Sequence, residues 1–308
     1  MKNIISLILL TAFSVSGVAQ KKADLSLSLE QNQVYRMKSV TNQNMIQTVS
    51  GNEQSVQTMS TTIISIKPLQ IMDRETINEV RFDTIISIVN QPPSEFSSVE
   101  PGDLNSEDPA MILSCILNRL SKSTFLVKMN NSGKVIRIMN LEPVTGEIFK
   151  DTNSIQGQTA ELILGRVEDM LEEKALASMI ESATAHLPGK EVSTGDRWEV
   201  DLNISGGGMN FIQQNDYRLE SISKKSANIS GELVMESTPG TMEIRGAQIT
   251  PDIRGLGKSE LMIDHGTGWI IKGTIRQQLK GELTVNAQGN TLTIPIEIKN
   301  ESEISSVW

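Results

Sequence analysis

Asp264-His265 lies in the stretch GKSELMIDHGTGWIIKGTIRQQL and contains one of only two histidines in the chain. An acid beside an imidazole is the pair that orients a general base, and a Ser or Cys brought from elsewhere would complete a nucleophilic triad. Adjacent strand residues point to opposite faces, so these two can cooperate only in a turn. The flanks alternate as strands do, with Ser259, Leu261 and Ile263 before the pair and Trp269, Ile271, Gly273 and Ile275 after it. Gly266 and Gly268 supply permissive backbone between them. No GxSxG elbow marks a nucleophile. The stretch therefore reads as a hairpin turn, and a hydrolase using His265 and Asp264 is an alternative function.

Other candidate chemistry meets the same test. In RGLGKS, residues 254–259, Gly255 falls too late for a phosphate-binding loop, and the sequence beyond it alternates as a strand rather than opening a helix. Ser205-Gly206-Gly207-Gly208 follows a clean strand and reads as a hairpin connection. His186 ends a helical stretch before Leu187-Pro188-Gly189, where a cation would favour the helix dipole. Two separated histidines and the single cysteine, Cys115, offer no zinc-ligand spacing. The acids at 168–173 stand at helical spacing on a polar face and lack a calcium-loop pattern. The sequence thus assigns no catalytic, cofactor-binding or metal-binding residue, and no cofactor. Fourteen methionines against six phenylalanines and two tyrosines are a compositional bias. Methionine lines adaptable apolar sites, so Met129, Met139, Met170 and Met179 are the candidate lining of an apolar pocket between sheet and helices, the alternative being ordinary core filler.

The elements that would position these residues are mostly strands. Alternation places Val80, Phe82, Thr84, Ile86 and Ile88 on one face, Trp198, Val200, Leu202 and Ile204 on another, and Leu292, Ile294, Ile296 and Ile298 on a third. Phe125, Val127 and Met129 lead through Asn130-Asn131-Ser132-Gly133 to Val135, Arg137 and Met139 as a hairpin. Two stretches switch to helical period. Over 108–122, Asp108 is the N-cap, Pro109 the first helical residue, and Ile112, Leu113, Ile116, Leu117 and Leu120 the apolar stripe. A second stretch, 157–187, carries Leu164, Val167, Met170, Leu171, Leu176, Met179, Ile180 and Ala183. Residues 90–107, rich in Pro, Ser and acids, read as an exposed loop. The expected fold is α+β, mainly antiparallel β-sheet, curved or a half-barrel, with two amphipathic helical segments on one face. The expected organisation is a β-rich N-terminal half (20–150, containing helix 108–122), a helical segment (151–190) and a β-rich C-terminal half (191–308).

Residues 1–19 read as a signal peptide: Lys2, an apolar run from Ile4 to Phe13, and Gly17-Val18-Ala19 before a cleavage point. The run is too short to span a bilayer, so the mature chain is expected to have no membrane span and to be periplasmic or secreted. A net charge of −9 argues against nucleic-acid binding. At 4% aromatic content the chain lacks the interface girdles of an outer-membrane barrel.

YRMKSVTNQ (35–43), FLVKMNNSGKVIRIMNLE (125–142), VSTGDRWEV (192–200) and LMIDHGTGWI (261–270) together resemble an uncharacterised family of secreted β-rich Bacteroidetes proteins, a domain of unknown function. More loosely, the chain is similar to half-barrel envelope lipoproteins and lipid carriers, although it lacks their acylated cysteine. These resemblances and the pattern together lead to an exported, non-enzymatic protein that binds an apolar or lipid-like small molecule or a partner protein in the cell envelope. The alternative is a structural or interaction protein of the envelope without a ligand pocket.

Overall fold

The computed structural model describes residues 22–49, 51–91, 93–152, 155, 158–206, 209–244, 246–287 and 289–307, so the expected signal peptide lies outside the described residues. Within them the fold is α+β, as expected. Eleven strands form one continuous antiparallel path in the order β7 (Val135–Ile138), β6 (Phe125–Asn130), β4 (Glu75–Asn90), β3 (Asn52–Met72), β2 (Tyr35–Val49), β15 (Asn290–Val307), β14 (Ile270–Ala287), β13 (Ala247–Asp264), β11 (Ser226–Ser237), β10 (Met209–Ile222) and β9 (Arg197–Gly206), with β5 (Pro93–Ser97) added to β4 and β12 (Met242–Ile244) to β13. The path is curved and does not close on itself. Its longest members are β3 (Asn52–Met72), β13 (Ala247–Asp264), β14 (Ile270–Ala287) and β15 (Asn290–Val307). The N- and C-terminal β-rich halves join where β15 pairs with β2 (Tyr35–Val49), in a register running from Ile296 opposite Gln47 to Val307 opposite Arg36.

Curvature follows from glycine on the inner face. A Cβ on Gly255 would sit 2.3 Å from the Gln278 carbonyl oxygen, and one on Gly281 1.9 Å from that of Asp252. Any side chain there would hold β13 and β14 apart, so glycine lets the sheet coil tightly. Into the resulting hollow pack α1 (Pro109–Lys122), α2 (Leu141–Ile148), α3 (Gln158–Leu171) and α4 (Glu173–Thr184). The main core buries Ile116, Leu117 and Leu120 of α1 and Leu176 and Ile180 of α4 against Val80, Phe125, Leu219 and Ile263 of the sheet. A second cluster, Phe211, Met235, Ile253, Leu279, Ile296 and Ile298, lies farther along the same face. Between the two runs a polar chain: Gln43 donates to Asn300, Asn300 and Gln213 both engage Gln277, and Gln213 donates to Asn215, which donates to the Val200 carbonyl.

Asp108 caps α1 as expected, its side chain accepting from the Ala110 N–H at 2.9 Å. Elsewhere the structure corrects the sequence reading. In β4 (Glu75–Asn90) a register shift brings Thr84 opposite Ile63 and Phe82 opposite Ile64, leaving Asp83 as the extra residue. One inserted residue reverses the faces, so Val80, Phe82 and Ser87 are buried while Ile88 is exposed. The stretch 157–187 is not one helix but α3 and α4, separated at Glu172, whose extended backbone (φ −57°, ψ 145°) breaks the ladder. Helix α2 carries a proline and a glycine in eight residues, too short and mixed for a periodic signal. Within the expected loop 90–107, Pro93–Ser97 forms β5 on the edge of β4, and Ser97 and Ser98 are buried. In the hairpin of β6 (Phe125–Asn130) and β7 (Val135–Ile138), it is Ile138 that faces the core, and Met139 is exposed.

Candidate functional site

The Asp264-His265 pair is the turn joining β13 to β14. Asp264 Oδ1 accepts from the Gly266 N–H at 3.0 Å, the Thr267 N–H at 2.9 Å and the Thr267 hydroxyl at 2.9 Å. That carboxylate oxygen holds the turn together, and no hydrogen bond links it to the half-buried His265 imidazole. The turn also docks another segment. Thr267 O accepts from the Ser28 N–H, and Gly268, at φ +71°, lies so close that a Cβ would stand 2.4 Å from Ser26 O. The segment after β1 (Lys22–Leu25) is thereby clamped, burying Leu27 and Leu29.

His186 lies outside its helix, since α4 ends at Thr184. Far from being a cation at a helix terminus, it is buried, and desolvation pulls its pKa down to about 4, only partly opposed by a hydrogen bond with the Gly268 backbone. Among the described residues no group of three or more His, Cys, Asp or Glu side chains could hold a metal ion. None of their helices is long and apolar enough to cross a membrane.

The four methionines do not meet around one space. Met129 is fully buried in the core, Met139 is exposed on the far side of its hairpin, and Met170 and Met179 are half-buried against the core from α3 and α4. None of them lines either of the two depressions described next, because the helices fill the inner hollow with side chains.

Both depressions lie on the other face of the sheet. The larger, of about 1200 Å³, crosses β13, β14, β15, β2, β3 and β4; the second, of about 900 Å³, adjoins it, sharing Glu260 and Thr274. The pairing registers order its outward side chains into rows. One row reads Leu256, Gln278, Lys299, Asn44 and Gln57, and the next Lys258, Arg276, Glu301, Asn42, Met59 and Ile88. Strand β13 thus forms one wall, β3 and β4 the other, and β14, β15 and β2 the floor. Leu256 is 69% exposed, Met59 43% and Ile88 38%, so the walls present apolar groups to water.

The charges of this trough oppose those of the whole chain. Its lining holds Arg254, Lys258, Arg276, Lys280 and Lys299 against only Glu260 and Glu301, in a protein of net charge −9. Arg276 pairs with Glu301 at 2.8 Å, and Glu297, in the next row on the same outward face, pairs with Lys280 at 3.3 Å and Lys299 at 3.2 Å. Hydrogen bonds from Lys299, Gln278 and Lys280 hold the Glu297 carboxyl below the usual carboxylate range. Arg254 pairs with the exposed Asp252. Lys258 has no ion-pair partner among the described residues.

The sequence carried one trace of this site. In Arg254-Gly-Leu256-Gly-Lys258-Ser-Glu260, an apolar residue interrupts a charged period-2 face, where an ordinary solvated strand would place a polar one. The facing wall depends on registers between strands distant in the chain, for which the sequence has no local signal.

A comparison with curated proteins finds none that is similar. Among solved structures, a lipovitellin described for its lipid–protein interactions shares 10% identity at a TM-score of 0.41, covering 91% of this chain and 25% of that one. This chain therefore spans about a quarter of the lipovitellin. An outer-membrane channel from Pseudomonas putida F1 shares 7% identity at a TM-score of 0.22, covering 91% of this chain and 97% of the channel. OccK5 of Pseudomonas aeruginosa shares 5% at 0.25, covering 90% and 99%. The model of one protein family matches residues 73–270, more than half of the 308 residues. The chain belongs to that family, a family of unknown function designated DUF6263.

Proposed function

We propose that this protein is an exported, non-enzymatic binding module of the cell envelope that holds an apolar or lipid-like ligand in the trough on the outer face of its sheet. The observation that carries this reading is the placement of Leu256 on one wall and Met59 and Ile88 on the other, all solvent-exposed around a concave space of about 1200 Å³. Large apolar groups left in water around a concavity mark a surface that something covers, and the space is generous beside the roughly 300–1,000 Å³ of small-molecule sites. The binding role in place of catalysis is supported by Asp264, whose carboxylate oxygen is taken up by its own turn. Export rests on the pattern of the first nineteen residues. The test is a thermal-shift series on delipidated protein with fatty acids, phospholipids and envelope extracts. A rise in Tm that Leu256→Asp abolishes is expected, and no shift with any of them would count against the reading.

A second reading, an envelope interaction protein without a small ligand, draws support from Ile212 and Val234. They are 44% and 41% exposed; Val234 stands opposite Leu256 and extends the apolar wall onto β11, while Ile212 lies one row over on β10, opposite Glu236. A Val234→Asp variant separates the two: it leaves ligand-induced shifts intact if the trough alone binds.

A further inference from the structure

The line where β11 meets β13 divides two signs of charge on the outer face. Glu232 stands opposite Lys258, Val234 opposite Leu256 and Glu236 opposite Arg254, so the acids belong to β11, the bases to β13, and an apolar pair lies between them. All six residues are exposed, and Leu256 is the most exposed of the large apolar ones among the described residues. Among those residues no ion pair closes across the line; Arg254 turns instead to Asp252 on its own strand at 3.7 Å. The division continues one strand outward on each side, with Asp216 of β10 beside Glu232 and Arg276 of β14 beside Lys258, each also holding a partner within the chain. These acids and bases balance, so the information lies in their arrangement.

Resting on the second reading above and naming its partner, we infer that this face joins two copies of the chain about a two-fold axis running parallel to the strands along the β11–β13 line. Such a rotation lays β11 of one copy over β13 of the other and keeps every row in place. Leu256 of each copy then meets Val234 of the other, Lys258 meets Glu232 and Arg254 meets Glu236, each contact being made twice. Glu260, next along β13, falls over Ser230, with Arg218 and Glu220 of β10 beside it, so one acid meets one base and one acid there. A rotation about an axis across the strands would instead lay Lys258 over Arg254 and Glu232 over Glu236, like upon like. The charge pattern therefore admits the first arrangement and rejects the second. Its centre is apolar and its rim charged, which is the anatomy of a surface covered by a partner.

Sedimentation equilibrium of the mature chain at about 100 μM, above the micromolar constants of weak specific interfaces, should find a dimer. Lys258→Glu and Glu232→Lys should each weaken it at least about tenfold, since a contact made twice turns from attraction to repulsion. Mixed in equal amounts, the two variant chains should restore the dimer, because both contacts between unlike chains are again of opposite sign. Lys174→Glu, at an exposed position of α4, changes the net charge as much as Lys258→Glu and should have no effect. Val234→Asp should leave a monomer. A wild type that is monomeric at this concentration, a dimer indifferent to Lys258→Glu and Glu232→Lys, or a mixture that stays monomeric overturns the self-pairing. The ligand-induced thermal shifts of Val234→Asp decide the interaction reading separately, so the two can fail apart.

Discussion

At His186 the ring is withdrawn from solvent and its Nε2 has no hydrogen-bond partner, while its carbonyl oxygen accepts from the Trp198 indole at 3.1 Å. Its pKa falls from 6.5 to about 4 because burial disfavours the imidazolium. The folded pKa is the lower one, so the stability at stake is present above pH 6.5. It is lost as pH falls towards 4, where the unfolded chain takes up a proton that the native ring refuses. The shift corresponds to about 3 kcal/mol. His186→Asn removes this titration, and urea unfolding between pH 7 and pH 4 should show the variant losing less stability than the wild type by about that amount. Equal losses would show that the ring is solvated. The position of this histidine near a helix end was legible from Pro188-Gly189; its burial was not, because it arises from Gly268 and the segment at Ser26, far away in sequence. The Asp264 turn was fully legible, since glycine spacing and alternation on either side are local signals.

Helix α4 stands where the sheet fails to close. It packs against both ends of the strand path, β7 on one side and β9 (Arg197–Gly206) on the other. An edge strand exposes unpaired N–H groups that invite other strands, and α4 satisfies two of them with carboxylates. Glu181 Oε1 accepts from the Val135 N–H at 2.8 Å and Glu173 Oε1 from the Ile138 N–H at 3.2 Å. Burial pushes the Glu181 carboxyl up from its ordinary pKa. Glu181→Ala would leave the Val135 donor without its acceptor and should cost about 1–3 kcal/mol in urea unfolding, whereas Glu181→Gln keeps an oxygen in place and should cost well under half of that. Identical behaviour of the two variants would mean that the contact carries no stability. The amphipathic period of α4 was readable because its stripe of Leu176, Ile180 and Ala183 is local. Its task was not, because Glu181 lies on what a sequence reading takes for a solvated face.

Across the whole molecule, β15 is an inner strand rather than an edge, with β14 on one side and β2 on the other. Alternation revealed its character, but nothing local reveals that its partner is the strand near the opposite end of the chain, so the trough built over that seam could not be read in advance. Removing residues 290–308 should unzip the sheet at its middle; a thermal melt followed by circular dichroism is expected to lose its cooperative transition, and survival of that transition would show that the halves fold separately. The seam also orders events in time. Thr41 and Ser302, which share a hydrogen bond, are 261 residues apart, and pairings so remote form late. During vectorial synthesis the β2 edge waits uncovered until residues 290–307 have emerged. That edge therefore needs shielding in the nascent chain until β15 arrives to cover it.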